Sequence, residues 1–117
     1  MNLPHQEPIR FANEVLSSYD NKIIVSCKFP FSPTLAMACE AAAQSSAGFA
    51  QESANPKIGF LVSLKDILLI EDMNFTEAIV EIERTFDFGS MSEYSFELKN
   101  NDISYVSGKI TIALDKK

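Results

Sequence analysis

A single histidine, His5, stands in a chain of 117 residues that has no tryptophan and two cysteines. One imidazole cannot build a multi-histidine metal centre. The cysteines, Cys27 and Cys39, belong to no CxxC pair and suggest neither a zinc site nor a disulfide framework. We therefore expect no metal and no cofactor. Basic residues are also scarce, ten against sixteen acidic ones, for a formal charge of −6. Such a surface repels phosphate backbones and anionic membranes, and no run of Lys or Arg offsets it, so neither nucleic acid nor membrane is expected as a partner. A basic segment followed by an apolar one is missing from the N-terminus, which argues against a secretory signal. The longest mostly apolar stretch, residues 34–50, is interrupted by Glu40, Gln44, Ser45 and Ser46, a poor membrane span and a good buried helix. The expectation is a cytoplasmic protein with reduced thiols.

What is present suffices for one core. Hydrophobic residues make up 46% of the chain, with nine Phe and three Tyr as bulky filling, and no repeat or linker divides residues 1–117. The chain reads as a single domain.

Residues 9–16 fit a short helix or a strand, and Ile23, Ile24 and Val25 argue for a strand over residues 22–29. Pro30 and Pro33 end it. Residues 34–51 are the clearest element: Thr34 can cap a helix rich in Ala, Met and Leu, apolar on most sides. The second half reads as strands. Residues 58–70 are apolar around Lys65-Asp66. Residues 78–88 alternate, with Val80, Ile82, Phe86 and Phe88 on one face and Glu81, Glu83 and Asp87 on the other. Tyr94, Phe96 and Leu98 alternate in the next segment, and Asn100-Asn101-Asp102 is a hairpin turn signal. The last strand, residues 103–114, is expected to bulge near Ser107-Gly108. One buried helix followed by an antiparallel meander is an α+β pattern. Such a sheet leaves an edge that proteins usually cover, so a dimer or larger assembly is expected.

Glu40 is the only charged side chain in the twenty-three residues 29–51. A carboxylate in an apolar helix is costly to bury, and burial favours its protonated form. Gln44, one turn on, lies on the same face and can hydrogen-bond it.

These residues carry a resemblance. Leu3-Pro4-His5-Gln6-Glu7-Pro8 with Glu14-Val15-Leu16, then Phe29-Pro30, Pro33 and Glu40-Ala41-Ala42-Ala43-Gln44, then Gly59-Phe60-Leu61 and Phe88-Gly89, are similar to the 3-hydroxyacyl-acyl-carrier-protein dehydratases. The likeness spans nearly the whole chain and is strongest to the small aryl-polyene-type subgroup. It implies a hotdog fold, an antiparallel sheet wrapped around one long helix, working as a homodimer or with a paralogous hotdog subunit. It also implies acyl thioester substrates, on a carrier protein or coenzyme A, in fatty-acid or polyene-type biosynthesis. Glu40 falls on the catalytic carboxylate, and Lys28, Phe29, Pro33, Thr34 and Gln44 fall around the substrate. Lys28 stands where the family carries its histidine base, and Pro33-Thr34 replaces a proline-glycine pair. His5 lies outside the family's catalytic pair. Cys27 and Lys28 should point to opposite faces of their strand. The residues leave three activities open: a dehydratase-like enzyme, a non-catalytic partner subunit, or a thioesterase using Glu40.

Overall fold

The computed structural model describes residues 10–46 and 59–114. The N-terminal signature around His5, and the last residues of the expected helix, 47–51, lie outside them.

The segment open between helix and strand is strand from Ala12 on: β1 (Ala12–Tyr19) pairs with β2 (Lys22–Lys28) through a tight turn in which Asp20 takes φ 50°. The helix α1 (Leu35–Ser45) follows, capped as expected by Thr34, whose hydroxyl accepts from the Met37 N–H at 3.2 Å. Four strands follow among the described residues: β3 (Gly59–Leu69), β4 (Glu77–Phe88), β5 (Met91–Asn100) and β6 (Ile103–Leu114). Asn101 and Asp102 both adopt positive φ, which the two-residue hairpin between β5 and β6 requires.

All pairings are antiparallel, and the sheet runs β1-β2-β4-β5-β6-β3, with the helix packed on one face. One register row, Val25–Val80–Leu98–Val106, crosses four strands with every side chain at 0% exposure. Burying such side chains contributes about 1.5–3 kcal/mol each. Ala38, Ala41 and Ala42 are equally buried, and their small side chains let the helix lie close to the sheet.

Two expected strand patterns change because of bulges. In β4 the register shifts between Arg84 and Phe86, so the alternation that buries Val80 and Ile82 breaks. Phe86 and Phe88 are 61% and 42% exposed, their rings tilted against each other with centroids 5.3 Å apart, while Asp87 takes a hydrogen bond from Ser92. The bulge expected at Ser107-Gly108 is instead in the neighbouring strand: β3 shifts register between Lys65 and Leu68, with Asp66 at φ 54°. A second shift, at Tyr105, lies in β6 itself. From Val106 onward β6 keeps one face, burying Val106, Ile110 and Ile112.

Candidate functional site

The helix presents most of its circumference to the core. Ala38, Cys39, Ala41, Ala42, Gln44 and Ser45 are buried. The remaining stripe holds Ala36, Glu40 and Ala43 at helical spacing, with Leu35 and Phe31 exposed near its N-terminal end. Glu40 is therefore half-buried and not enclosed: one side meets the protein and one side is open. Its small neighbours, Ala36 and Ala43, leave the carboxylate accessible.

The expected bond between Glu40 and Gln44 is present. Gln44 Nε2 donates to Glu40 Oε1 at 3.3 Å. The same Gln44 uses its Oε1 to accept from the backbone N–H of Phe11 at 2.7 Å and of Ala12 at 3.1 Å. Those two donors fix which end of the amide faces Glu40. Gln44 is thus a buried tie between the start of β1 and the helix, and its contacts are to the protein.

The other residues expected around a substrate are placed differently. Phe29 is 3% exposed, packs its ring 5.2 Å from Phe11, and donates its N–H to Thr76 O at 2.7 Å. Pro33 is buried in the turn into the helix, and Thr34 is spent on the cap. Strand alternation sends Cys27 inward, where its Sγ lies 3.9 Å from Ser45 Oγ, and leaves Lys28 exposed on the other face beside Glu77. Among the described residues no ion pair joins Lys28 to Glu40. Glu40 and Gln44 are brought together; Lys28, Phe29, Pro33 and Thr34 do not join them as open side chains. Burial pushes the Cys27 thiol up to about 12, against a small opposing effect of Ser45, and raises Cys39 as well. Neither is a nucleophile at neutral pH.

The sequence reading missed two polar features. On the helix side of the sheet Arg84, Asp87, Ser92 and Tyr94 cluster, and burial raises the Tyr94 phenol above its usual range, with Arg84 opposing. On the outer face a groove of about 360 Å³ runs over Ser95, Ser107 and Gly108, rimmed by Lys22, Glu83 and Lys109. Beside it Glu81 is held by Lys99 at 2.7 Å and Lys22 at 3.2 Å, and these hydrogen bonds, Lys99's foremost, keep its carboxyl below the usual range despite partial burial. Neither feature includes Glu40. Alternating Lys and Glu in β2, β4 and β5 was the available signal for the outer network. Among the described residues no group of three or more His, Cys, Asp or Glu could hold a metal ion, and no helix is long and apolar enough to cross a membrane.

No family model matches the chain, and no curated protein sequence does. Solved structures do. The dehydratase heterocomplex ApeI:P from Xenorhabdus doucetiae superposes with a TM-score of 0.77 over 98% of this chain and 89% of the matched chain, at 16% identity. A hypothetical thioesterase with coenzyme A from Streptococcus pneumoniae gives 0.68 over 87% and 84%, at 10% identity. Zebra fish thioesterase superfamily member 2 gives 0.67 over 87% and 80%, at 16% identity. The fold is a hotdog. Its six-stranded antiparallel sheet and single helix are shared with dehydratases and thioesterases alike, and at these identities the likeness is one of fold. In this hotdog the helix carboxylate is Glu40.

Proposed function

We propose that this hotdog protein binds 3-hydroxyacyl thioesters, presented on an acyl carrier protein or on coenzyme A, along the open stripe of α1. Dehydration of such a substrate needs two groups. An acid protonates the departing β-hydroxyl, which leaves as water, and a base takes the proton α to the thioester carbonyl. Glu40 is the acid in this reading, and the observation that carries it is its placement: fixed by Gln44 on one side and open on the other. Phe31 and Leu35 offer apolar surface near the same end for an acyl chain. No described side chain supplies the base. Lys28 is exposed on the far face of β2, and a protonated ammonium cannot abstract the α-proton. Dehydration by the isolated protein is accordingly slow or absent, and the protein is dehydratase-like in a fatty-acid or polyene-type pathway.

The missing base favours a second reading, in which the chain is a non-catalytic subunit of a paralogous, active hotdog protein. The solved ApeI:P structure is itself a dehydratase heterocomplex, which supports that arrangement. A thioesterase using Glu40 is the third reading, supported by the thioesterase neighbours.

One assay separates the three. Purified protein is offered acyl and 3-hydroxyacyl thioesters, and enoyl product, free thiol and bound thioester are measured, for the parent and for Glu40→Gln. Our reading expects binding with little enoyl product, weakened in Glu40→Gln. Free thiol that disappears in Glu40→Gln would establish the thioesterase. Binding unchanged in a folded Glu40→Gln protein would move the site away from Glu40.

A further inference from the structure

The charges on the outer face of the sheet, away from α1, divide into two groups. Glu81 is held by Lys99 at 2.7 Å and by Lys22 at 3.2 Å, and Lys99 also reaches Glu97 at 3.5 Å. These four satisfy one another. Glu83, Lys109 and Asp66 do not: among the described residues none of the three has an ion pair or a side-chain hydrogen bond. All three border the groove of about 360 Å³. A partner for Glu83 was at hand, since Lys22 stands opposite it in the register, yet Lys22 turns to Glu81.

The groove exists because its floor is small. Ser95, Ser107 and Gly108 lie among long side chains and leave a depression that falls in the size range of small-molecule sites. Ser95 is the register neighbour of both Glu83 in β4 and Lys109 in β6. Adjacent strands are about 4.8 Å apart, so the two charges flank the serine from backbones roughly 10 Å apart. Ser95 and Ser107 are half-buried, and among the described residues neither hydroxyl has a hydrogen-bond partner. By contrast the hydroxyls of Ser26, Ser92 and Ser104 all bond protein groups. The third charge arrives through the β3 bulge, which carries Asp66 to the groove at φ 54°. Bulges re-aim side chains in this way, and aspartate is among the residues that tolerate a left-handed backbone.

Two carboxylates and one ammonium around a hydroxyl floor define the complementary ligand. A diamine meets both carboxylates but sets its charge against Lys109. A neutral amino acid satisfies Lys109 and one carboxylate, leaving the other unmatched. A basic amino acid carries the whole set, one carboxylate and two cations. We propose that the groove binds a basic amino acid, its carboxylate on Lys109, its two cationic groups on Glu83 and Asp66, and its remaining polar atoms over Ser95 and Ser107. The inference is independent of the thioester reading, because Glu40 lies on the helix at the other face of the sheet.

Titration of the full chain with L-lysine at low ionic strength, followed by calorimetry and by backbone amide shifts, tests it. Saturable binding should move the amides of Ser95, Ser107 and Gly108, and added salt should weaken it, as it does any exposed charge contact. Asp66→Asn keeps a residue that accepts the left-handed backbone while removing the charge. It should weaken L-lysine binding about fivefold or more, as should Lys109→Met, each loss being that of one exposed ion pair at its upper strength. Lys109→Met should leave putrescine bound no worse than the parent does, since that diamine has no carboxylate to lose. Glu40→Gln should bind L-lysine as the parent does, which keeps this test separate from that of the thioester site. Circular dichroism establishes that each variant is folded. Absence of saturable L-lysine binding would overturn the proposal, the three charges then serving only to solvate the sheet. So would putrescine or glycine binding as tightly as L-lysine, or L-lysine binding unchanged in a folded Asp66→Asn or Lys109→Met protein.

Discussion

Gln44 donates to Glu40 Oε1 at 3.3 Å only because its own Oε1 is already taken, by the Phe11 N–H at 2.7 Å and the Ala12 N–H at 3.1 Å. The helix carboxylate and the first strand are thus held by one amide. Phe11 and Ala12 are 7% and 1% exposed, so water is a poor substitute acceptor for their N–H groups. Leaving buried donors unmade costs about 1–3 kcal/mol each. Gln44→Leu, close in size, is expected to lower the unfolding free energy by about 2–4 kcal/mol in urea titration. Gln44→Glu keeps the acceptor but loses the donor to Glu40. It should recover much of that stability while still impairing thioester binding. Equal stability of Gln44→Leu and the parent would show that the tie is not structural.

A second prediction follows from Gly108. A Cβ there would run into Ile67 Cδ1 and come within 3.3 Å of the Ile67 Cα and of Phe96 Cε1. The glycine is the place where the β3 bulge presses onto β6. Gly108→Ala should cost about 1–3 kcal/mol, the usual range for overpacking, and lower the melting temperature. Ile67→Val shortens the offending side chain, so Gly108→Ala/Ile67→Val should be less destabilised than the sum of the two changes. Strict additivity in that cycle would place the strain elsewhere.

The legibility of this chain in its sequence follows the range of the interactions. The Thr34 cap, the Asn101-Asp102 turn and the alternation of Tyr94, Phe96 and Leu98 are local, and all are found where local chemistry puts them. The exposure of Phe86 and Phe88 is not local. A bulge one residue earlier reverses their face, and nothing within residues 78–88 marks it. The bulge opposite Gly108 was legible as an irregularity but not as to strand, because a glycine announces close approach without saying which neighbour approaches. At the site, the isolation of Glu40 in an apolar helix and its spacing to Gln44 were readable. That Gln44 bonds backbone thirty-two and thirty-three residues away, and so is unavailable to a substrate, depends on a long-range contact.

Cys27 gives a pH prediction. Its thiol is pushed from an ordinary 9.0 up to about 12 by burial, with the Ser45 hydroxyl opposing the rise, so the folded protein holds its proton where the unfolded chain releases it. Above pH 9 unfolding therefore sheds a proton, and stability falls as pH rises. One proton corresponds to about 1.4 kcal/mol per pH unit. Below pH 9 both states are protonated and the contribution is flat. Cys27→Ala should remove this part of the alkaline decline in urea midpoints measured from pH 8 to 10.5. In the native parent at pH 8 the thiol should resist alkylation. Rapid modification of Cys27 without unfolding would contradict the burial.

The last prediction concerns Lys28. The resemblance puts a histidine base at this position, but β2 turns Cys27 toward Ser45 and the helix and leaves Lys28 exposed on the opposite face. An imidazole carried there would stand away from Glu40 of the same chain. Lys28→Ala is accordingly expected to change stability by no more than about 0.5 kcal/mol, as surface substitutions do. Lys28→His should leave enoyl formation from a 3-hydroxyacyl thioester at the parent's low level. Both variants should bind thioester as the parent does, since Glu40 and Gln44 are untouched. A clear rise in dehydration by Lys28→His, on the order of a hundredfold as for a placed general base, would mean that residue 28 faces the Glu40 of a second copy. The candidate site would then be shared between two chains, and its base would be the one group this sequence has exchanged.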